Sequence, residues 1–475
     1  MENWAVVRSG ELLENQRADA EYYINPYNDY LSHLAKNSEL EWQPLSAISS
    51  RLTSGHTPLR HDLKVGSVEF YTVECVDALA LHRSKAKKVT GDQLAGELKR
   101  VALRKGDLLI TIKRRIGMAA PLLSEPGPAA INQDVVVMTP KPGWSAAVVA
   151  AFLVSRPGQY QALRDATEQM NPYLNVQALG KILVPRLPDA QRVKIERLVK
   201  SRTDALRDSQ EKYQAAQDAL MAKLGWSAPS KSTSEIFELS AAKLMEDGRA
   251  DAEFFAPSQY ELLDALRRGS SRSISTFSAK AERGIQPVTS EGDVVVIDSK
   301  AVRELGVAAE KADRTSRAQR NLSLRGRVER DDVLLNSTGV GTLGRATCYR
   351  SREPAVCDNH VAIIRPDPSV CRPEYLALFL NSPAGRMQTE RFQSGSSGQV
   401  ELYPDAIGKI DVFIPLDAAG AIDGSWQDSL SEMVIEAADA MNTARDLLSE
   451  ITASVALAVE QGPYGPKGYE VPAKV

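Results

Sequence analysis

Residues 189–225 read DAQRVKIERLVKSRTDALRDSQEKYQAAQDALMAKLG, a stretch with no proline or glycine before Gly225, entered directly after Pro185 and Pro188. That punctuation predicts one long helix. Ile195, Val199, Arg202, Leu206, Ser209, Tyr213, Ala216 and Leu220 form a stripe whose steps alternate four and three, with Arg202 and Ser209 as polar intrusions. Such a stripe is the seam of a coiled coil. The alternation returns in Leu430, Val434, Ala437, Met441, Ala444, Leu448, Ile451 and Val455, followed by Gly462. Two helices with matching seams are natural partners. At about 1.5 Å per residue each is roughly 50 Å long, so the chain is expected to be two globular heads spaced by a rod.

A chain of 475 residues is too long for one core, and 43% hydrophobic with 25% charged residues is ordinary for a soluble protein of several domains. Apolar runs are broken by charge well before about 18 residues, and MENWAVVRSGELLENQR has no signal-peptide core, so a cytoplasmic protein without a membrane partner is expected. Cys75, Cys348, Cys357 and Cys371 form no CxxC pair and make a poor metal set with His360; buried or free thiols and no metal are expected.

The net charge of -3 hides a regional imbalance. Residues 51–115 carry fourteen Lys/Arg against seven Asp/Glu, and residues 311–352 carry ten against four. The C-terminal helix has the opposite sign: Asp428, Glu432, Glu436, Asp439, Asp446, Glu450 and Glu460 face only Arg445.

An internal repeat decides the architecture. RADAEYY (17–23) returns as RADAEFF (249–255), and Gly55-His-Thr-Pro58 as Gly284-Ile-Gln-Pro287. LRKGDLLITIKRRIGMAA (103–120) matches VERDDVLLNSTGVGTLGRAT (328–347), and INQDVVVMTP (131–140) matches CDNHVAIIRP (357–366). FLVS (152–155) matches FLNS (379–382), and LGKILVPRL (179–187) matches IGKIDVFIPL (407–416). Six landmarks recur in order, each series ending in a long helix. Within a half, Asp107–Ile112, Asp134–Thr139 and Lys181–Val184 read as strands, and Ala146–Val154 and Pro373–Leu380 as helices. Each head is therefore mixed α/β (α+β).

No catalytic centre is legible. Gly339, Gly341 and Gly344 spell GxGxxG, but RATCYR follows where a phosphate-binding helix is needed, so a glycine-rich β-hairpin is expected. Asn25-Pro-Tyr27 and Asn171-Pro-Tyr173 are like part of the Asn-Pro-Pro-Tyr loop of adenine methyltransferases, but both lack the second proline and read as turns. No HExxH, GxSxG or acid-plus-lysine cleavage set is present. The stronger signal is cationic. Arg83, Lys85, Lys87, Lys88, Lys113, Arg114 and Arg115 fall in loops of the first head, and Arg314, Arg317, Arg320, Arg325, Arg327 and Arg345 in loops of the second. Lysine and arginine attract phosphate and arginine forks onto guanine, so these clusters suit a DNA groove. Asn132 and Gln133, with Asn359 and His360, sit in the matched segments 131–140 and 357–366 and are further candidates for DNA contact. Gln169 and Asn171, and Ser396 and Gln399, sit in a second matched pair of loops, where Gln and Asn can read adenine.

Two landmark series of this kind, each closed by a proline-containing strand, a glutamine (Gln191, Gln427) and a long helix, resemble the specificity subunit of type I restriction-modification systems. The matches are Gly55-x-Thr-Pro58, Lys105-Gly-Asp-Leu-Leu109, Ile116-Gly117, Ile131-Asn-Gln133 and Val184-Pro-x-Leu-Pro-x-x-Gln191. The second copy departs after Ile414-Pro415, where LDAAGAIDGSW delays the glutamine. The resemblance implies two target-recognition domains, 1–188 and 246–416, and antiparallel spacer helices at 189–228 and 426–475 (the latter with a tail), with linkers at 229–245 and 417–425. It implies double-stranded DNA and two methyltransferase subunits as partners, with a translocating nuclease joining for cleavage. S-adenosylmethionine would sit on the methyltransferase and no cofactor on this chain. The helices, paired through Ile195, Val199, Leu206, Tyr213, Leu220, Leu430, Val434, Met441, Leu448 and Val455, would act as a ruler between half-sites. Three other readings stay open: a coiled-coil protein scaffold, a self-contained DNA-modifying enzyme, and the recognition subunit of a phage-defence complex that does not methylate.

Overall fold

The computed structural model describes residues 22, 27–37, 40–58, 66–167, 172–228, 237–309, 312–322, 324–395 and 400–460. The first long helix spans Asp189–Leu224 and stops at Gly225, whose φ of +66° lets its N–H reach the Met221 and Ala222 carbonyls. The second spans Gly424–Glu460. It starts inside the stretch read as linker 417–425, because the Asp423 carboxylate caps the Trp426 N–H at 3.0 Å.

The chain divides into two compact units, residues 1–206 with 442–475, and residues 207–441, so the division falls midway along both long helices. Within the first unit the helices run antiparallel: Arg202 donates to the Ala444 carbonyl, while Lys194 meets Glu450 at 3.7 Å and Ser454 at 3.4 Å. Ile195 and Val199 share a core with Ile451 and Val455, and Leu448 packs partly buried against it. Within the second unit Ser209 Oγ donates to the Ala437 carbonyl at 2.7 Å and Lys212 meets Glu436 at 3.0 Å. Ala216 and Leu220 share a core with Leu430, Val434 and Ala437; Tyr213 and Met441 flank it. Leu206 is half-buried. Both polar intrusions on the seam thus donate to carbonyls of the partner helix.

In the first unit β1 (Trp42–Pro44) pairs with β11 (Leu183–Pro185). A four-stranded antiparallel sheet runs in the order β2 (Ser49–Ser54), β10 (Val135–Pro140), β7 (Leu108–Thr111), β8 (Ala119–Pro121). A second sheet runs β6 (Lys87–Val89), β3 (Val68–Tyr71), β9 (Ala129–Ile131), with β3 and β9 parallel. A small ribbon joins β4 (Val76–Asp77) to β5 (Ala80–Leu81).

The second unit repeats this strand for strand. β12 (Ser271–Ser273) pairs with β23 (Asp411–Phe413). The large sheet runs β13 (Ser278–Arg283), β22 (Val361–Pro366), β19 (Val333–Asn336), β20 (Ala346–Cys348). The ribbon is β15 (Val302–Arg303) with β16 (Gly306–Val307). The other sheet runs β17 (Asp313–Thr315), β14 (Val294–Ile297), β21 (Ala355–Cys357), with β14 and β21 parallel, and adds one edge strand, β18 (Arg327–Val328).

Strand periodicity explains why the central strands are apolar throughout. Leu108, Ile110, Val136 and Met138 face the core shared with the helices, while Leu109, Val135 and Val137 face a second core under the smaller sheet. In the second unit Val333, Leu335, Ala362 and Ile364 take one face and Leu334, Val361 and Ile363 the other. The landmark glycines have a packing cause as well. A Cβ on Gly55 would lie 2.1 Å from the Asn132 carbonyl oxygen, and one on Gly284 would lie 2.2 Å from that of Cys357. Each glycine lets the loop after β9 or β21 cross the chain directly above it.

Helix Ala146–Val154 matches the sequence reading, and Pro373–Asn381 runs one residue past it. Residues 181–184, read as strand, begin instead as the end of helix Val176–Lys181, whose Asn175 side chain caps the Ala178 N–H; the strand starts at Leu183. The stretch 229–245, read as linker, contains the start of helix Ala241–Asp247, capped by Ser240. All four cysteines are buried and free. No described helix is long and apolar enough to cross a membrane.

Candidate nucleic-acid interface

In the first unit the turn from β7 to β8 carries Lys113, Arg114 and Arg115. Gly117, at φ +74°, lets its N–H return to the Thr111 carbonyl at 2.9 Å, and Thr111 Oγ1 also donates to the Arg115 carbonyl. Arg114 sits at φ +60°, a conformation unusual for a residue with a Cβ, and its N–H donates to the Pro172 carbonyl at 3.2 Å. Every cation of this turn meets a carboxylate. Lys113 reaches Asp134 at 3.2 Å and lies over the Tyr173 ring; Arg114 reaches Glu74 at 2.9 Å; Arg115 pairs with Asp77. Beside β3, Arg83 pairs with Glu69 at 2.9 Å and donates to the Pro126 carbonyl, and Lys88 lies 4.0 Å from the same Glu69. Lys85 and Lys87 are exposed, with no ion pair among the described residues.

Burial pushes the Asp77 carboxyl up, but its hydrogen bond with His82 and the Arg115 charge outweigh that and hold it well below the usual range. Glu74 is also lowered, first by the Thr72 hydroxyl and further by Arg114 and Lys87. Asp77 and Glu74 are therefore firmly ionised partners. Asn132 is nearly buried, and its amide donates to Asp134 at 3.3 Å, so its side chain holds the turn rather than facing solvent. Gln133 is exposed and accepts from the Thr57 hydroxyl. Gln169 and Asn171 lie outside the described residues, as do Ser396 and Gln399 in the second unit.

The second unit gives its cations different partners. Arg314 donates to the Asp293 carbonyl at 3.5 Å, Arg327 to the Asn321 side chain at 3.3 Å, and Arg345 to the Val302 carbonyl at 3.2 Å. Arg325 donates to the Arg283 carbonyl at 3.0 Å. Arg317 pairs with the Asp293 carboxylate at 2.7 Å. Burial lowers the Arg320 guanidinium, and Arg327 and Arg317 beside it lower it further; burial and Arg303 do the same to Arg345. Asn359 is exposed, and His360 Nδ1 shares a hydrogen bond with Thr338 Oγ1 at 2.9 Å. Gly339, Gly341 and Gly344 all have positive φ in the loop between paired strands β19 and β20, which is the hairpin read from sequence.

Sequence reasoning missed Arg303 and Arg386, which flank Arg345 with one acid, Glu304, among them. Neither sits in a basic run, so only the folded chain brings them together. The acids of the second helix, set in sequence only against Arg445, also find partners in the fold. Asp428 is bound by Arg372, Glu436 by Lys212, Asp439 by Arg350, Glu450 by Lys194, and Glu460 by Tyr30 and Arg156. Most of that charge is neutralised within the units.

Arg202 links the helices to the first cluster. Its buried guanidinium donates to Ala444 on the second helix and to Ala78 in the β4–β5 turn, next to Asp77. Burial pushes it down to about 10, against the Asp77 charge that raises it. Among the described residues one set of three possible metal ligands comes together, Asp331, Cys348 and Glu374. It has a structural explanation: Asp331, at φ +70°, occupies the turn position that Gly106 fills at φ +86° in the first unit.

No family model and no curated protein matches the sequence. Solved structures do. The chain is similar to the S subunit of a type I restriction-modification system from M. genitalium, with 12% identity over 91% of this chain and 98% of that one and a TM-score of 0.43. It is similar to the HsdS subunit from Thermoanaerobacter tengcongensis, with 12% identity over 89% and 96% and a TM-score of 0.28. A chain from a structure on complex assembly and conformational transition of the type I R-M system matches with 13% identity over 88% and 97%, at 0.28. At this level of superposition the likeness carries no functional argument, and the reading rests on the chain's own residues.

Proposed function

We propose that this chain is the DNA-recognition subunit of a type I restriction-modification complex. Each unit reads one half of a bipartite duplex target, and the paired helices assemble methyltransferase subunits, two by the internal pseudo-symmetry, with a nuclease-translocase joining for cleavage. The observation that carries the reading is the duplication: both units present arginine and lysine from matching hairpins and edge strands of one strand plan. A protein scaffold has no need for cations at matched positions of two copies. Chemistry is assigned to the partner subunits, with S-adenosylmethionine on the methyltransferase.

The test is a genome-wide map of methylated adenines in a host carrying this chain with its neighbouring methyltransferase, against the methyltransferase alone. A split motif methylated only when this chain is present supports the reading. A stable complex that adds no motif rejects the methylation role and favours a defence complex that does not methylate.

A further inference from the structure

Resting on that recognition reading, we infer that the two units divide the DNA contact. Arg314, Arg320, Arg327 and Arg345 of the second unit are an open anchor for backbone phosphates, whereas the first unit's cations are held by carboxylates and kept for base edges.

In the first unit Glu69, Glu74, Asp77 and Asp134 engage five of the cations singled out: Arg83, Lys88, Arg114, Arg115 and Lys113. A neutral pair projects little field beyond a Debye length of about 8–10 Å, so these groups add little to long-range attraction. Contact with phosphate would also leave the displaced carboxylate facing a polyanion, and like charges brought together repel. A G·C pair satisfies both members at once. The guanidinium forks onto guanine O6 and N7, and the carboxylate accepts from cytosine N4. Lys85 and Lys87 remain as point charges on the edge of the cluster.

The second unit has the reverse arrangement. Arg314, Arg327 and Arg345 bond to carbonyl oxygens of the backbone or of Asn321, not to carboxylates. Among the described residues the Nε atoms of Arg320 and Arg327 are buried without a partner. Glu329, the acid beside Arg320, is taken by Arg365 at 3.0 Å, and Glu304, the acid beside Arg345, is taken by Arg386. Guanidiniums crowded beside acids that other arginines already engage are relieved by a bound anion, and a phosphodiester backbone supplies a row of them.

The experiment measures binding of the full chain to a mixed-sequence duplex by fluorescence anisotropy across a salt series, with circular dichroism as a check on folding. The triple substitution Arg314→Gln, Arg320→Gln, Arg327→Gln is expected to lower the log–log salt slope by about 2 to 3. Arg114→Gln with Arg115→Gln is expected to lower it by less than about 1. Glu74→Gln, an exposed change that does not threaten folding, is expected to tighten binding several-fold and steepen the slope by up to about 1, because it frees Arg114. Equal losses from the two arginine sets, or no gain from Glu74→Gln, overturn the division while leaving DNA recognition standing. Wild-type chain that shows no salt-dependent binding overturns the recognition reading and the division together.

Discussion

Asp107 and Asp332 occupy the same position in the two units, and each is buried at the start of the third strand of its large sheet. Asp107 is neutralised by Arg51 from β2, with the Thr139 hydroxyl of β10 donating at 2.6 Å. Asp332 is neutralised by Arg365 from β22, through bonds of 2.7 and 2.9 Å. Thr139 pairs with Arg51 across the ladder, and Arg365 pairs with Lys280 at the matching place, so the arginine stands on opposite strands in the two copies. What both copies keep is the carboxylate's second task. Asp107 accepts from the Arg104 N–H at 2.9 Å and Asp332 from the Glu329 N–H at 2.7 Å, closing the turn that enters the strand. The fold requires a turn-capping acid and a cation within reach, and is indifferent to which strand supplies the cation.

The largest expected effect tests that equivalence. Asp107→Ala should cost about 3–5 kcal/mol, read as a fall in the urea midpoint, because it leaves the Arg51 guanidinium without its counter-charge; Asp332→Ala should cost less, because Arg365 keeps Glu329 at 3.0 Å. Transplanting the second copy's solution into the first, Arg51→Thr with Thr139→Arg, should recover most of the stability lost in Arg51→Thr alone. No recovery would show that the two sheets are less interchangeable than their registers imply.

Gly55→Ala and Gly284→Ala follow, at about 1–3 kcal/mol or more, since the added Cβ meets backbone that cannot swing aside. Similar losses in both units are expected in the same denaturation experiment; a tolerated alanine in either would break the claim that both loops cross equally close.

Ser209→Ala should cost about 0.5–1.5 kcal/mol for its single buried bond to the Ala437 carbonyl. Limited proteolysis of the second unit would reveal it as earlier cleavage. Lys194→Ala and Lys212→Ala, which remove one exposed inter-helix ion pair in each unit, should barely move the thermal midpoint, and the effect should vanish in high salt. A larger or salt-independent loss would mean that charge, not the apolar seam, holds the pair.

Much of this was legible because the signals are local or repeated. The seam from Ile195 to Leu220 shows itself through spacing alone, and Gly225 marks its end whatever surrounds it. The start of the second helix was less clear, because its cap, Asp423, lies inside a glycine-containing loop that reads as linker. Arg303 and Arg386 were illegible as partners of Arg345, since no short pattern joins residues from a ribbon, a hairpin and the helix Pro383–Phe392.

By itself the sequence determined the two long helices, their seams, the duplicated strand plan and the places where cations cluster. Periodicity, glycine and proline punctuation and repetition are properties of the chain written in order. Only the tertiary structure decided which of those cations are free. Arg114 meets Glu74 from 40 residues away, whereas Arg327 donates to the neutral Asn321 side chain, and ion pairing depends on distance in space. The same holds for Gly55, whose need for a bare Cα comes from the carbonyls of Ile131 and Asn132 crossing above it.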